Sequence, residues 1–216
     1  MTGSTLSTSA GDVTVVVDGP RRPKQLLVLA HGAGAPLDSD FMEFFARELS
    51  STERAVARFN FVYMEQGRKS PGPPKVSEQT YRDVLEHLKG ELSPKQLFIG
   101  GKSYGGRMAS HIAAQDVKVD GLVFLGYPLH APGRPENIRD AHLRDIDARM
   151  LFVEGTRDPF CPLATLRKVM AKLAAPAELL IVEDGDHSLK VRKSSGRSTS
   201  DAWHEAAVGI SEWLGS

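Results

Sequence analysis

Three residues whose types can together perform nucleophilic catalysis occur in the order Ser103, Asp158, His187. A serine hydroxyl is a weak nucleophile until a base takes its proton, and an imidazole can be that base. A carboxylate beside the imidazole holds its tautomer and stabilises the imidazolium. We therefore predict an acyl-transfer site with Ser103 as the nucleophile, His187 as the general base and Asp158 as the orienting acid.

The predicted nucleophile lies in a G-x-S-x-G motif at residues 101–105. An apolar run over residues 96–100 precedes the motif, and a helical pattern over 107–114 follows it. A strand that turns at once into a helix strains the serine backbone and exposes its hydroxyl above the sheet edge. We expect glycine at 101 and 105 because side chains there would crowd one another. A glycine-rich turn without chemistry has the same five letters, so the rest of the chain must decide.

Two backbone N–H groups are predicted to bind the oxyanion of the tetrahedral intermediate. Tyr104 follows the nucleophile and begins the next helix, where negative charge is stabilised. Ala33 follows His31-Gly32 at the end of another apolar run. The small Ala33 side chain and the flexible Gly32 allow close approach to a substrate. We expect His31 itself to brace this loop and not to act as a base.

Other histidines and aspartates compete for the roles of base and acid. His87, His111 and His204 lie in helical patterns, and His130 is favoured as a surface residue although it could line a pocket. Asp184 and Asp186 are too close in sequence to His187 for the usual geometry, and a turn-forming role explains them better. Only His187 follows the last predicted strand, so the order along the chain favours it.

Strand and helix patterns alternate along most of the chain. Strands are predicted at 12–17, 26–30, 55–63, 96–100, 122–125, 150–153 and 179–182, and helices at 38–49, 77–92, 107–114, 163–173 and 201–214. This alternation predicts the α/β class, with a mostly parallel sheet covered by helices on both faces. The candidate catalytic residues follow strands, and functional groups gather at the carboxyl ends of parallel strands.

The remaining segments set the domain organisation. We predict a flexible N-terminal tail over residues 1–10 and one domain over 11–216. Glycines and prolines predict a loop over 64–74. The irregular stretch 129–146 is long enough only for a small lid, so no large cap domain is expected and the pocket should be shallow.

Composition excludes several function classes. The 216 residues carry 27 Lys+Arg and 27 Asp+Glu, a formal net charge of +0, which does not favour a nucleic-acid surface. A single cysteine, Cys161, allows no internal disulfide and no cysteine metal cluster. No signal peptide or bilayer-spanning run is visible, so we expect a cytoplasmic protein without membrane partners. No metal or organic cofactor is implied, and the oligomeric state stays open.

Basic residues are concentrated in two loops, at Arg68-Lys69 and between Lys190 and Arg197. A solvated surface is the favoured interpretation. The alternative is a basic rim that attracts anionic acyl groups.

The chain resembles the compact α/β-hydrolase family often called dienelactone-hydrolase-like. The motifs that carry the resemblance are HGAG at 31–34, MEQGR at 64–68, GKSYGGRMAS at 101–110, GTRD at 155–158 and GDH at 185–187. It is similar to bacterial members and to a eukaryotic branch that includes a subunit of a histone-acetyltransferase complex. The resemblance implies an α/β-hydrolase fold with a catalytic triad. Dienelactone hydrolases carry a cysteine nucleophile, whereas this chain has Ser103.

Two functions follow from these observations. The first is a serine hydrolase, carboxylesterase-like or thioesterase-like, that cleaves a small ester or thioester of a small-molecule acyl substrate. The second is an interaction module with a hydrolase fold and little turnover, because the eukaryotic branch shows the fold serving as a scaffold. Each of the three catalytic positions has a residue that can perform its role, which favours the serine hydrolase over the interaction module.

Overall fold

Eight strands form one sheet in the spatial order β1-β2-β4-β3-β5-β6-β7-β8 in a computed structural model that describes residues 2–216. The strands are β1 (Thr2–Thr8), β2 (Gly11–Asp18), β3 (Gln25–Ala30), β4 (Arg54–Phe59), β5 (Gln96–Lys102), β6 (Gly121–Leu125), β7 (Arg149–Gly155) and β8 (Ala177–Val182). The six neighbouring strands β4, β3, β5, β6, β7 and β8 are all parallel. By contrast, β2 runs antiparallel to both of its neighbours, β1 and β4. The predicted mostly parallel sheet is confirmed.

Six helices and two short 3-10 turns connect the strands. The helices are α1 (Asp40–Leu49), α2 (Val62–Glu65), α3 (Pro74–Leu92), α4 (Tyr104–Gln115), α5 (Leu163–Met170) and α6 (Thr199–Gly215), and the 3-10 turns are Ala141–Asp145 and Lys193–Ser195. Helices α1 and α6 cover one face of the sheet, and α3, α4 and α5 cover the other.

The central strand β3 shows why its apolar run is continuous. Leu26 and Val28 pack into the core under α3 and α4, whereas Leu27 and Leu29 pack into the core under α1 and α6. All four side chains are fully buried. A strand buried on both faces has no solvent-facing positions, and burial of each such side chain contributes about 1.5–3 kcal/mol to folding.

The prediction of a flexible tail over residues 1–10 is wrong for Thr2–Thr8, which form β1 along the edge of β2; Met1 lies outside the described residues. Threonine has a high β propensity, and the β2 edge offers unpaired backbone groups to a polar strand. Leu6 packs against the core, and Ser9 donates from its backbone N–H and its hydroxyl to Asp83.

Other boundaries also differ from the predictions, and the strand predicted over 55–63 ends at Phe59. Helix α3 begins at Pro74, three residues before the predicted start, because proline suits the first turn of a helix. The predicted loop over 64–74 begins inside α2, which ends at Glu65. Within residues 2–216 no cap domain is inserted, and the connection between β6 and β7 contains only the 3-10 turn Ala141–Asp145.

Candidate active site

Ser103 lies at the sharp turn between β5 and α4. Its φ of 50° and ψ of −109° lie outside the regions that side-chain-bearing residues usually adopt. Its backbone N–H donates to Leu125 O, and its backbone carbonyl accepts from Arg107 N–H in the first turn of α4. This is the strained strand–turn–helix geometry that the motif predicts.

The flanking glycines allow the elbow to pack against the neighbouring strand β3. A Cβ atom at Gly101 or at Gly105 would lie 2.2 Å from the carbonyl oxygen of Ala30. The expected reason for these glycines, crowding between the two positions, is therefore incomplete. The nearest obstacle to a side chain at either position is the backbone of β3, which is fixed within the sheet.

His187 and Asp158 complete a continuous chain of hydrogen bonds with Ser103. The distance from Ser103 Oγ to His187 Nε2 is 2.8 Å, and that from His187 Nδ1 to Asp158 Oδ2 is 2.6 Å. Ser103 follows β5, Asp158 follows β7 and His187 follows β8, so all three come from loops at the carboxyl edge of the sheet. We call these three residues the triad.

Asp158 is held in place by its own loop. Its carboxylate side chain has no exposed surface, and Oδ1 accepts a hydrogen bond from Phe160 N–H at 2.8 Å. Because Oδ1 is hydrogen-bonded to the backbone, Oδ2 faces the imidazole of His187. A carboxylate in this position can fix the Nδ1–H tautomer of His187 and leave Nε2 free to accept a proton.

The two competing aspartates make other contacts. Asp184 forms ion pairs with Arg157 and Arg192, and the hydrogen bonds from Arg192 lower the pKa of Asp184. Asp186 Oδ1 accepts from the backbone N–H groups of Ser188 and Lys190. Asp186 therefore stabilises the turn that carries His187, and neither aspartate is hydrogen-bonded to its imidazole.

Ala33 and Tyr104 line the same cavity as Ser103 and His187. Neither backbone N–H donates a hydrogen bond to another of residues 2–216. Tyr104 is the first residue of α4, where the helix dipole favours negative charge. Two unpaired donors beside a candidate nucleophile can stabilise an oxyanion.

His31 braces the loop that carries Ala33, as predicted. The ring is fully buried; Nδ1 lies 2.7 Å from Gly32 O, and Nε2 accepts from Phe61 N–H at 3.0 Å. Because Phe61 is a donor, the network assigns the neutral tautomer with the proton on Nδ1. Burial lowers the pKa of His31 to about 4, so the ring is uncharged at neutral pH.

A lysine and a glutamate lie behind the triad, and sequence reasoning assigned a role to neither. Lys102 is 9% exposed and donates from Nζ to the backbone carbonyl of His187. Burial lowers the pKa of Lys102 to about 8, against the attraction of Asp158, Glu154 and Asp186. Glu154 is fully buried; its Oε1 accepts a hydrogen bond from Tyr127 N–H, and within the described part of the chain its Oε2 has no hydrogen-bond partner. Burial is the main cause that raises the pKa of Glu154, and the negative charge of Asp158 raises it further. The protonated form of Glu154 is therefore favoured.

The cavity in front of the triad is small, with a volume of about 180 Å³. Its wall contains Phe160, whose ring lies 4.7 Å from the His187 ring. It also contains His130, Arg107 and Arg139. The expected surface role of His130 is wrong, because only 6% of this residue is exposed. A larger groove of about 550 Å³ beside Arg82 contains no triad residue, and we assign the site by its chemistry and not by its size.

The two basic loops do not line the triad cavity. Arg192 pairs with Asp184, and Arg197 pairs with Glu205. Neither Arg68 nor Lys69 belongs to the wall of that cavity. The favoured interpretation of a solvated basic surface is therefore the better one. The arginines that do reach the cavity are Arg107 and Arg139, which no sequence pattern distinguished.

Other kinds of site find little support in the part of the chain that the structure describes. Residues 2–216 bring together no group of three or more His, Cys, Asp or Glu that could hold a metal ion. No helix among them is both long and apolar enough to span a lipid bilayer. Cys161 is buried, and burial raises the pKa of its thiol.

Comparison with known families decides the classification. Residues 23–215 match the family described as "Alpha/beta hydrolase domain". The chain belongs to this family. The matched range covers the sheet from β3 onward and contains every triad residue, whereas β1 and β2 precede it.

Solved structures of α/β hydrolases share the whole architecture. An alpha-beta serine hydrolase homologue from Coxiella burnetii is 16% identical, with a TM-score of 0.78 over 97% of this chain and 96% of that one. A serine hydrolase "without lid" from Xanthomonas campestris is 18% identical, with a TM-score of 0.76 over 98% and 94%. A dienelactone hydrolase from Anabaena variabilis is 16% identical, with a TM-score of 0.77 over 99% and 95%. At these identities the likeness shows a common fold.

Proposed function

We propose that this α/β-hydrolase protein is a serine hydrolase that cleaves a small ester or thioester through an acyl-enzyme on Ser103. The observation that carries the proposal is a continuous chain of two hydrogen bonds. The distance from Ser103 Oγ to His187 Nε2 is 2.8 Å, and that from His187 Nδ1 to Asp158 Oδ2 is 2.6 Å. These distances are within the range required of a nucleophile, its base and the group that orients the base.

In the first half-reaction, Ser103 Oγ attacks the carbonyl carbon while its proton moves to His187 Nε2. The Asp158 carboxylate stabilises the imidazolium that forms. The carbonyl oxygen becomes an oxyanion, which accepts hydrogen bonds from the N–H groups of Ala33 and Tyr104. When the intermediate collapses, the bond to the leaving oxygen or sulfur breaks, and His187 returns its proton to that atom.

In the second half-reaction, water replaces the leaving group. His187 takes a proton from water as the water oxygen attacks the acyl carbon, and the same two amides hold the new oxyanion. Collapse breaks the bond to Ser103 Oγ, which recovers its proton from His187. The products are a carboxylic acid and an alcohol or thiol, and the enzyme returns to its starting state.

The cavity supports a preference for small acyl groups. Its volume of about 180 Å³ is below the usual 300–1,000 Å³ of ligand pockets. No cap domain within residues 2–216 extends it. The Xanthomonas campestris hydrolase of similar fold is likewise described as lacking a lid. The alternative of an inactive interaction module does not explain why three loops bring Ser103, His187 and Asp158 into bonding distance.

The proposal predicts a characteristic pattern of activity losses among triad variants. Ser103→Ala and His187→Ala should each lower kcat for a short-chain ester about 10⁴- to 10⁶-fold, and the double variant should be hardly worse. Asp158→Asn should lower kcat about 10⁴-fold, because the imidazole loses the partner that fixes its tautomer. Steady-state hydrolysis of p-nitrophenyl acetate, butyrate and octanoate measures these losses and the expected short-chain preference.

Asp184→Asn is the control for the acid assignment, and circular dichroism verifies that each variant is folded. This variant removes a carboxylate of the loop that carries His187, one that pairs with Arg157 and Arg192 and not with His187. It should keep most of the wild-type kcat. Near-normal turnover by Asp158→Asn together with loss in Asp184→Asn would show that the acid is misassigned. Full turnover by Ser103→Ala would refute the covalent mechanism.

A further inference from the structure

We propose that the cavity beside Ser103 selects esters or thioesters that carry a carboxylate a few bonds from the scissile carbonyl. This inference rests on the serine hydrolase function proposed above and names the substrate class of the same site. It follows from two arginines and a buried histidine that line the cavity without partners of opposite charge.

Arg107 and Arg139 both line the cavity that contains Ser103 and His187. Neither guanidinium forms an ion pair with a carboxylate among residues 2–216. Arg58, by contrast, is buried and bonded to Asp18 at 3.0 Å. Arg107 is half-buried and is paired with no acid, so a bound carboxylate would supply an opposite charge; Arg139 is exposed and adds a second positive charge at the mouth of the cavity.

Arg107 is positioned by helix α4. It lies one turn after Tyr104, so it shares the face of the helix that borders the cavity. One end of its guanidinium is fixed, because Nη2 donates to His111 Nε2 at 3.1 Å, and Glu78 in turn holds His111 Nδ1 at 2.7 Å. The Nε–H of Arg107 is buried and has no hydrogen-bond partner among residues 2–216.

The two arginines also act on one another. Burial lowers the pKa of Arg107 most; the neighbouring Tyr127 opposes this shift, and the positive charge of Arg139 adds to it. Two like charges near one cavity raise the free energy of the empty site. A carboxylate bound close to both arginines would remove this repulsion, and arginine can form two parallel hydrogen bonds to such a group.

His130 adds a third polar group to the wall. Its Nδ1 lies 2.9 Å from Ala131 O, and its Nε2 is buried with no partner among residues 2–216. Its ring lies 6.2 Å from that of Phe160, which in turn packs on His187. His130 therefore adds a polar side chain to the wall beside Phe160.

The size of the cavity limits where the anion can lie. A space of about 180 Å³ holds the acyl carbonyl at Ser103 and only a short chain beyond it. The carboxylate must therefore be a few bonds from the carbonyl, on the acyl side or on the alcohol or thiol side. A long-chain or bulky neutral ester would leave the arginines without a partner.

Two pairs of esters of matched size separate these possibilities. Monoethyl succinate and ethyl 4-methylpentanoate differ in a carboxylate on the acyl side, which an isopropyl group replaces. Acetoxyacetate and isobutyl acetate differ in the same way on the alcohol side. Hydrolysis is followed in a pH-stat at pH 7.5 and low salt, and the measured quantity is the ratio of kcat/KM, anionic to neutral, within each pair.

We expect wild type to favour the anionic ester of at least one pair by about 10- to 100-fold, as charged hydrogen bonds to arginine imply. Arg139→Gln and Arg107→Gln should each reduce that ratio about tenfold or more. Arg139 is exposed, so its substitution leaves folding intact even if Arg107→Gln is unstable. Arg134→Gln is the matched control: it removes an exposed arginine of the same connection that does not line the cavity, and the ratio should stay at its wild-type value.

The outcomes separate this inference from the function on which it rests. If wild type hydrolyses the neutral esters as well as the anionic ones, and Arg139→Gln leaves both ratios unchanged, the carboxylate inference is wrong and the hydrolase remains. If wild type hydrolyses none of the four esters and no p-nitrophenyl ester, both proposals are wrong. A ratio that falls equally in Arg134→Gln would show a general surface-charge effect and would also overturn the inference.

Discussion

At the scale of single residues, His31 shows how a buried ring determines the shape of the loop beside the nucleophile. One ring nitrogen binds the Gly32 carbonyl, and the other accepts from the Phe61 amide. The Ala33 amide that we assign to the oxyanion site follows directly. Protonation of Nε2 would remove its acceptor and place a charge in the core, which is costly.

This arrangement predicts a stability loss in mild acid. The folded pKa of His31, about 4, is below its unfolded value of 6.5, so between these values only the unfolded chain takes up the proton. The stabilisation is complete above pH 6.5 and is lost as the pH falls towards 4. Linkage gives a loss of about 2 kcal/mol between pH 7.5 and pH 5 from this residue.

Nuclear magnetic resonance of the imidazole nitrogens measures this prediction site by site. The His31 signals should keep the Nδ1–H tautomer from pH 8 down to pH 5 in the folded protein. Urea unfolding at pH 7.5 and pH 5 should show the corresponding decrease in the free energy of unfolding. His204 is largely exposed and serves as the internal reference for an accessible ring. A His31 titration midpoint near 6.5 would contradict the account.

Residue types and order along the chain were enough to nominate Ser103, Asp158 and His187, because each follows a recognisable strand and bears a group with one chemical role. The same reasoning could not identify Arg107, Arg139 or Glu154. Arginine in a helix or loop is ordinary on a surface, and only the tertiary contacts show that an acid is missing beside it. For Glu154, only burial distinguishes it from a solvated carboxylate.

At the scale of elements, the turn from β5 into α4 couples the nucleophile to the sheet. Gly105 allows α4 to approach β3 so closely that no Cβ fits in front of the Ala30 carbonyl. Tyr81 of α3, on the same face of the sheet, links β3 to β5: its hydroxyl lies 2.7 Å from the carbonyl oxygens of Val28 and Gly100. The position of Ser103 Oγ therefore depends on the packing of two helices.

Two glycine-to-alanine changes in helices should have opposite effects on stability. Gly105→Ala places a Cβ 2.2 Å from a fixed carbonyl oxygen and should lower the free energy of unfolding by about 2–4 kcal/mol. Gly90→Ala in α3 meets nothing within 4 Å and should raise it by about 0.5–1 kcal/mol. Urea denaturation of both variants tests the pair. Equal shifts of the same sign would show that helix propensity, and not contact with β3, determines the effect.

Element boundaries could be predicted best where an apolar run is bounded by glycine or proline, as in β3 and β6. They could not be predicted where tertiary pairing decides. The strand β1 is polar, and its pairing with β2 depends on an unpaired edge that exists only in the folded sheet. The first turn of α3 contains prolines, which act as breakers inside a helix but are favoured at its start.

At the scale of the whole molecule, the parallel sheet brings together residues that are far apart in sequence. The loops after β5, β7 and β8 meet at one edge, and 84 residues separate Ser103 from the histidine to which it is bonded. Two hydrogen bonds behind the triad keep the loop that carries His187 in place. Lys102 donates one to the His187 carbonyl, and Trp203 of α6 donates the other to the Ser188 carbonyl at 3.0 Å. The site is thus a property of the complete fold.

The central claim, that Ser103 is a nucleophile activated by His187, is tested most directly by labelling with a fluorophosphonate. The serine oxygen attacks phosphorus, fluoride leaves and a stable phosphonate ester remains on the attacking residue. Peptide mass spectrometry of the folded protein then locates the adduct. Ser103→Ala gives the background, and His187→Ala tests the role of the base.

The account predicts stoichiometric modification of Ser103 in wild type, none in Ser103→Ala, and labelling slowed at least about 100-fold in His187→Ala, the typical contribution of a positioned base. Folded wild-type protein that stays unlabelled, under conditions that fully label an active serine hydrolase, would contradict the account and favour an interaction module. Labelling at the wild-type rate in His187→Ala would contradict the assignment of the base.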